Sequence, residues 1–300
     1  MVIDNDPKPS MESNGEVISE TAEQVRLACR SNNLPSHPST AGLASGHIQA
    51  NLVILPAKYA SDFRSLCQRN PVPCPLLGES LVGDPTTFIP SPGTGFSPLL
   101  FDGPVDVRFD LPKYNVYRGG KLIASTIQVA HYWNEDSIAF LIGCSYSFET
   151  ALVRAGLPPR HHSTGTAVPM YRTTLPLNPA GIFTRGTTVV SMRPYLSSDV
   201  TKVREITAPY QMTGHGEPIS WGWDGAKLLG IRDINEPEWG VAVEFEEGEV
   251  PVFWGCGVTP QNCLLEMGDA IERDIIAHYP GGMLVCDLRE EEVISWKGRT

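Results

Sequence analysis

The chain has 300 residues, of which 41% are hydrophobic and 19% charged, a balance that suits a globular protein with a buried core. Its formal net charge of −11 disfavours nucleic acid and anionic membranes as partners, because both are negatively charged. No apolar stretch approaches the roughly 20 residues that a membrane-spanning helix needs.

The N-terminal segment 1–16 is polar and acidic, and we predict a disordered tail there. It has neither the basic start nor the apolar run of a secretory presequence. The seven cysteines form no Cys-x-x-Cys pair, and their odd number and low density indicate reduced thiols. A cytoplasmic protein is therefore expected.

The first third of the chain predicts two helices and one strand before a long irregular stretch. Thr21 and Gln24 form a capping-box pair that begins a helix over 21–30. Residues 51–55 form an apolar run typical of a strand, and a second helix follows it. Proline, glycine, serine and threonine dominate 70–98, which indicates an irregular connection or the cover of a cleft.

The rest of the chain predicts short strands that alternate with a few helices. Helices are expected over 147–155 and 261–277, and a strand over 283–288 closes the fold. This alternation predicts an α/β class (mixed α+β) with a mixed sheet. Residues 17–300 are expected to form a single catalytic domain, for which two intertwined lobes remain open and no lobe boundary is visible. The other expected strands are 104–109, 114–118, 122–130, 138–142, 166–171, 187–192, 228–234, 240–246 and 250–254.

Two segments share one layout: an apolar run, a glycine, a cysteine, a small residue and a helix start. Residues 138–142 lead into Gly143-Cys144-Ser145, the first elbow, and residues 250–254 lead into Gly255-Cys256-Gly257, the second elbow. Unpaired backbone N–H groups at such a helix start attract anions, and a cysteine there can have its thiolate favoured. Two elbows in one chain predict an enzyme with a site for a small anionic molecule.

Three residues at or near the elbows are candidates for catalysis. Glu149 lies in the first turn of the helix after the first elbow, where desolvation would raise the pKa of its carboxyl and suit it to general acid or base chemistry. The simpler interpretation is that it only complements the helix dipole. Cys144 and Cys256 are candidate nucleophiles, but a role in shaping the turns is favoured because no base adjoins either cysteine in sequence.

Arg193 and three histidines are candidates for binding and proton transfer. Arg193 is expected to end a strand and to point out of the sheet edge, where its guanidinium would bind a carboxylate or form an ordinary surface ion pair. His215 lies between two glycines, which is an odd environment for a packing residue. His161 and His162 are adjacent, so their side chains should diverge. We therefore predict solvated loop histidines, of which one could still reach a site, and no metal site or cofactor.

Several groups of residues recur in one order along the chain and together form a recognisable set of motifs. They are Thr40-Ala41-Gly42 with Gln49-Ala50-Asn51, Asn70-Pro71 with Cys74-Pro75, Gly143 to Glu149, Val168 to Tyr171, Val189 to Pro194, His215-Gly216, and Pro251 to Gln261. In this order they resemble the family of hydro-lyases that includes D-glutamate cyclase, over nearly the whole chain beyond the tail.

One segment departs from that family's pattern. After His215-Gly216 the family tends to continue with Pro-x-His-x-Gly-Asp-Pro, whereas this chain has the run Pro218 to Asp224. Ser220 stands in place of the histidine, and two tryptophans occur in the run. The departure leaves the identity of the substrate open.

The resemblance implies a lyase that cyclises D-glutamate to D-pyroglutamate (5-oxo-D-proline) with loss of water. Glu149 would protonate the leaving oxygen, His215 would take a proton from the amine, and Arg193 would clamp the α-carboxylate. The N–H groups at Cys144-Ser145 or Cys256-Gly257 would hold the developing oxyanion. Candidate substrate-binding residues besides Arg193 are Asn51, Ser145, Thr259 and Tyr171.

Two other functions remain open. One is the loss of water from another small hydroxy or amino acid, with Glu149 or His215 abstracting a proton. The other is a non-catalytic carboxylate-binding protein, which the Ser220 region keeps open. The expected partner is a small anionic amino acid or hydroxy acid. A homo-oligomer remains open, and kinship makes mitochondria the alternative to the cytoplasm.

Overall fold

Two β-sheets with helices packed around them make up the fold in the computed structural model. The structure describes residues 21–34, 39–91 and 99–295, and the tail predicted over 1–16 lies outside them. The predicted class of mixed helix and strand is confirmed. Within the described part of the chain, no helix combines the length and apolar character needed to cross a membrane.

The described strands form one sheet of eight strands and one of four. They are β1 (His47–Pro56), β2 (Leu76–Ser80), β3 (Phe88–Pro90), β4 (Tyr114–Arg118), β5 (Lys121–Thr126), β6 (Ser137–Gly143), β7 (Met170–Pro176), β8 (Thr187–Leu196), β9 (Ser220–Trp221), β10 (Glu249–Gly255), β11 (Ile275–His278) and β12 (Leu284–Arg289). The larger sheet has the order β3-β2-β6-β1-β11-β4-β5, and β12 also pairs with β1. The smaller sheet has the order β7-β8-β10-β9.

The helices are short and connect or cover the sheets. At the first of them the predicted capping box forms: the Thr21 N–H donates to Gln24 Oε1 at 2.8 Å, and the Gln24 N–H donates to Thr21 Oγ1 at 3.2 Å. The described α-helices are α1 (Ala22–Arg30), α2 (Ala60–Arg69), α3 (Glu149–Arg154), α4 (Arg160–Thr164), α5 (Val200–Thr207), α6 (Gln211–Gly214), α7 (Gly222–Leu228), α8 (Thr259–Met267) and α9 (Glu290–Ser295).

The strand directions differ from the expected mixed sheet, because the strand pairings in both sheets are antiparallel throughout the described residues. A helix that returns the chain to the neighbouring position in the same sheet creates a parallel pair. The two elbow helices do not do this. After β6, α3 and α4 lead to β7 in the smaller sheet, and after β10, α8 leads to β11 in the larger sheet.

Both faces of the larger sheet are buried at its centre. On β1, Val53 and Leu55 pack into one apolar cluster and Leu52 and Ile54 into another, because successive side chains of a strand point to opposite faces. Strands buried on both faces have continuous apolar sequences, as β1 and β6 do. This packing fixes the end of β6 and therefore the position of the first elbow.

Three of the predicted strands do not form. Residues 104–109, 228–234 and 240–246 contain apolar side chains but adopt turns and irregular backbone, apart from the end of α7. In the first of these segments the carboxylate of Asp106 accepts the backbone N–H of Arg108 at 3.0 Å. Such local side-chain bonds compete with the hydrogen bonds of a strand.

Two other boundaries also differ from the sequence prediction. The helix predicted over 261–277 ends at Met267, because Gly268 takes a positive φ of 53°, which a continuing helix cannot accommodate. The chain then forms β11, which begins within the predicted helix. The stretch 70–98 is predicted to be irregular, but residues 70–91 contribute β2 and β3 to the larger sheet, and the rest of the stretch lies outside the described residues.

Candidate functional site

The two elbows lie against each other. Asn51 on β1 donates from Nδ2 to Gly143 O at 2.8 Å and so fixes the first elbow to its neighbouring strand. A Cβ added at Gly257 would lie 1.9 Å from that Nδ2 and 2.8 Å from Gly143 O. Only glycine allows this approach, which brings the ends of β6 and β10 together.

In each elbow the N–H of the cysteine already donates a hydrogen bond, whereas the N–H of the residue after it does not. The N–H of Cys144 donates to Thr213 O at 2.8 Å, and the N–H of Cys256 donates to Val189 O at 3.0 Å. The N–H groups of Ser145 and Gly257 donate to no acceptor among the described residues. The predicted anion-binding donors are thereby narrowed to these two groups.

The elbow cysteines are thiols, and the expectation of a favoured thiolate is wrong. Burial raises the pKa of the Cys144 thiol, and it raises that of Cys256 to about 11. Both side chains lie in an apolar cluster with Val189 and Val258, which disfavours a charge more than the helix start favours it. The Cys144 sulfur accepts the N–H of Tyr146 at 3.4 Å. This contact supports the turn-shaping role.

We expect both elbow cysteines to resist alkylation in the folded chain. Iodoacetamide at pH 7.5 should label Cys144 and Cys256 about 100-fold more slowly in the native protein than in urea, because the thiolate is the reactive form. Peptide mass spectrometry of timed samples gives the two rates, with the unfolded chain as the control. Native labelling at the rate of a free thiol would contradict the assignment.

Glu149 is the centre of a buried cluster of charged and polar side chains. The guanidinium of Arg193 donates to its Oε1 through both Nη2 and Nε, the latter at 2.9 Å. The Nε2 atom of His161 lies 3.1 Å from Oε1 and 3.2 Å from Oε2. The Nε2 atom of His162 lies 2.6 Å from Oε2. One carboxylate is therefore shared by three basic side chains, which we call the Glu149 cluster.

Arg193 is committed to this cluster and does not point out of the sheet edge, so that expectation is wrong. β8 continues beyond it, and only 1% of the residue is exposed. Its Nη1 donates to Ser191 Oγ at 3.2 Å and its Nη2 to Ser145 Oγ at 3.0 Å. The guanidinium also lies over the rings of Phe148 and Trp254, at 5.0 and 5.3 Å from the centroids. These contacts indicate that Arg193 positions Glu149.

The carboxyl of Glu149 is ionised, which corrects the expectation of a raised pKa. Burial alone raises that pKa, but attraction to His161 and Arg193 and hydrogen bonds from both histidines hold it well below its usual range. Burial lowers the pKa of His161, so the permanently charged guanidinium is the cause that keeps Glu149 ionised at neutral pH. Glu149 can accept a proton or bind a cation, but it cannot donate a proton.

The two adjacent histidines converge, although the sequence predicted that they would diverge. The short helix α4 holds their rings 86° apart with centroids separated by 5.0 Å, and both Nε2 atoms reach Glu149. His161 is buried and stacks on Tyr146 at 5.6 Å, whereas the side chain of His162 is 22% exposed. Together with Glu149 they form a group of ligand atoms within 4.8 Å of one another that could hold a metal ion.

His215 presents an unpartnered nitrogen close to the first elbow. It has a positive φ of 71°, and its Nδ1 lies 2.7 Å from Val72 O. A carbonyl only accepts, so Nδ1 carries the hydrogen and Nε2 keeps its lone pair, which meets no partner among the described residues. Burial lowers the pKa of His215 to about 4. The neutral imidazole is therefore a proton acceptor of low basicity.

The last two candidate site residues are Thr259 and Tyr171. Thr259 Oγ1 accepts a backbone N–H of β8 at 2.9 Å and so attaches α8 beside the second elbow. Tyr171 packs on Val190, whose side chain lies on the face of β8 opposite to Arg193, and its hydroxyl donates to Ile234 O at 2.6 Å. The structure does not bring Tyr171 to the cluster.

The segment that departs from the family pattern lies at the edge of the smaller sheet. Ser220 and Trp221 form β9, and Trp221 pairs with Val252, which in turn pairs with Arg193. Trp221 is half-exposed beneath the guanidinium of Arg204. The departure therefore lies two strands away from the Glu149 cluster.

Comparison with known proteins connects this geometry to a family. Residues 138–287 match the family model described as D-glutamate cyclase, and that range contains both elbows and the whole Glu149 cluster. This chain belongs to the D-glutamate cyclase family. Membership identifies it as a lyase-type protein of the hydro-lyase group, as the motifs predicted.

Relatives of this D-glutamate cyclase family member extend over most of its length. A protein of Schizosaccharomyces pombe is 50% identical over 250 residues, which are 83% of this chain and 79% of the relative. A protein of Bordetella petrii is 48% identical over 90% of this chain and 95% of its own length, and one of Staphylococcus haemolyticus is 44% identical over 90% and 96%. All three carry the name "Putative hydro-lyase", which states a reaction class and no substrate.

Proposed function

We propose that this chain is a carbon–oxygen hydro-lyase that cyclises D-glutamate to 5-oxo-D-proline. Membership of the D-glutamate cyclase family supports the substrate class. The structural observation that carries the proposal is the pair of unused N–H donors, at Ser145 and Gly257, beside the buried Glu149 cluster. Donors without acceptors next to fixed charges suit a reaction in which an oxygen becomes negative.

The reaction forms one bond and breaks another at the same carbon. The amine nitrogen of the substrate attacks its own side-chain carboxyl carbon, and an oxygen gains negative charge in the tetrahedral intermediate. Backbone N–H groups stabilise such an oxygen when they already point at it, because little reorganisation is then needed. A carbon–oxygen bond then breaks, and water leaves once the departing oxygen has received protons.

The proton transfers of the reaction give the other side chains their proposed roles. The substrate ammonium must lose a proton before it attacks, and Nε2 of His215 is an acceptor without a partner among the described residues. The departing oxygen needs an electrophile, which Glu149 cannot supply because it is ionised. The imidazoles of His161 and His162 contact the Glu149 carboxylate and are the side chains of the cluster that can bind this electrophile. Arg193 then acts as a positioning residue for Glu149, in place of the predicted clamp on the substrate.

The direct test is lactam formation from purified protein and each enantiomer of glutamate, followed by chiral chromatography. We expect D-pyroglutamate from D-glutamate and a marked fall in kcat/KM in Glu149→Gln, because that carboxylate orders Arg193 and the two histidines. Circular dichroism shows whether the variant is folded. Glu135→Gln is the matched control, because that glutamate is exposed and lies outside the cluster. Absence of lactam from both enantiomers would refute the proposal.

The same experiment separates the alternatives. Products with a mass 18 Da lower from other amino or hydroxy acids, but not from D-glutamate, would establish a different hydro-lyase substrate. A carboxylate that raises the melting temperature without any turnover would establish a binding protein.

A further inference from the structure

Within the described residues, the histidine, cysteine, aspartate and glutamate side chains form one group of three whose ligand atoms converge: Glu149, His161 and His162. The Nε2 atoms of the two histidines lie 3.2 and 2.6 Å from the same carboxylate oxygen, Oε2 of Glu149. An ion about 2.1 Å from each of three ligands in tetrahedral geometry needs them about 3.4 Å apart. Small rotations of the two rings would reach that spacing.

The other oxygen of the same carboxylate is already held. Both Nε and Nη2 of Arg193 donate to Oε1 of Glu149, and Ser145 and Ser191 hold the guanidinium in turn. Metal-binding carboxylates are commonly oriented in this way by a hydrogen-bonded neighbour, which leaves the second oxygen directed at the ion. The contacts thus prepare Oε2 for a cation, although the charge of Arg193 lowers the affinity.

We propose that Glu149, His161 and His162 bind a divalent transition-metal ion that favours imidazole ligands, of which Zn²⁺ is the probe. Two imidazoles and one carboxylate are a ligand set typical of Zn²⁺ and related ions, and three protein ligands leave a coordination position open. The partly exposed side chain of His162 lies on the solvent side of the group, where an ion can enter. No metal site was predicted from the sequence, because the side chains of two adjacent histidines were expected to point apart.

The ion would also supply the electrophile for the departing oxygen, and that part of the inference rests on the proposed function. A bound cation polarises a carboxyl oxygen and stabilises the charge that develops on it. Binding itself depends on no reaction, so it can be measured without turnover.

The test uses the full-length chain without a histidine tag, stripped of metal with EDTA and then titrated with Co²⁺ and Zn²⁺. We expect one ion per chain, visible d–d absorption for Co²⁺, and displacement of Co²⁺ by Zn²⁺. His162→Ala should weaken Zn²⁺ binding at least about tenfold in calorimetry, and Glu149→Gln should do the same. His162 is partly exposed, so its variant should keep the native melting profile.

His131→Ala is the matched control, because His131 is exposed and lies outside the group, and its affinity for Zn²⁺ should equal that of the parent. Equal binding by the parent and folded His162→Ala, or no Co²⁺ absorption in the parent, would overturn the metal site. If ion binding follows the variants but no lactam forms, the metal site stands and the proposed reaction fails. Lactam formation by a chain that binds no ion gives the reverse result.

Discussion

Replacement of Arg193 by methionine should lower the free energy of unfolding by about 3–5 kcal/mol. The change removes the permanent positive charge beside Glu149 and leaves a carboxylate buried without compensation, which is among the costliest defects in a protein interior. It also removes the donors to Ser145 and Ser191. Urea unfolding at pH 7, followed by circular dichroism, measures the change.

Two further variants separate the buried charge from the loss of the arginine stem. The double variant Arg193→Met with Glu149→Gln should recover part of the lost stability, because it removes the unpaired charge as well. Arg204→Met is the surface control: its ion pair with Glu217 is exposed, and such pairs contribute at most about 1 kcal/mol. A loss under about 1 kcal/mol in Arg193→Met itself would show that the carboxylate needs no guanidinium.

Acidification from pH 6.5 to about 4 should destabilise the fold. Burial lowers the pKa of His215 and of His278 to about 4, from 6.5 in the unfolded chain. Between these values the unfolded chain binds protons that the native chain does not, so stability falls as pH falls. Each histidine contributes about 1.4 kcal/mol per pH unit across this window. Burial lowers the pKa of His47 and His161 as well, which adds to the effect in the same direction.

Urea unfolding at intervals of half a pH unit measures this slope. His278→Gln removes one titrating group. The free energy of unfolding of this variant should therefore fall less steeply with pH than that of the parent, by about 1.4 kcal/mol per pH unit. The depressed pKa of Glu149 acts in a separate window, because its stabilisation is present above the ordinary carboxyl range and is lost only as pH falls below it. A stability that does not change between pH 6.5 and 4.5 would rule out buried neutral histidines.

The sequence was sufficient to predict the elbows, because their determinants are local. An apolar run, a glycine and a capped helix start have recognisable signals over a dozen residues, and the two runs became β6 and β10. Asn51 was also predicted to be a site residue, but its side chain donates a hydrogen bond to the carbonyl of Gly143. The direction of strand pairing was not predictable in the same way, because it depends on which sheet receives the chain after each helix.

The composition of the Glu149 cluster depends on contacts between distant segments. Arg193 is 44 residues from Glu149, and the alternation of β8 predicts only that Ser191 and Arg193 share a face, not that this face is buried. His161 and His162 lie 12 and 13 residues after Glu149, far beyond the spacing of three or four residues at which side chains on one helix meet. A helical turn between Pro159 and Gly165 was the one local signal that could have placed both rings together.

The exchange of the chain between the two sheets at each elbow has a consequence for assembly. The larger sheet cannot be completed from a continuous piece of sequence, because β7 to β10, which form the smaller sheet, are inserted between β6 and β11. Truncation at either elbow would therefore leave the larger sheet without β11 and β12, and the chain should fold in a single cooperative transition. The acidic and basic side chains of the Glu149 cluster would then become buried in the same step. No intermediate would hold one of these charges buried without its partner.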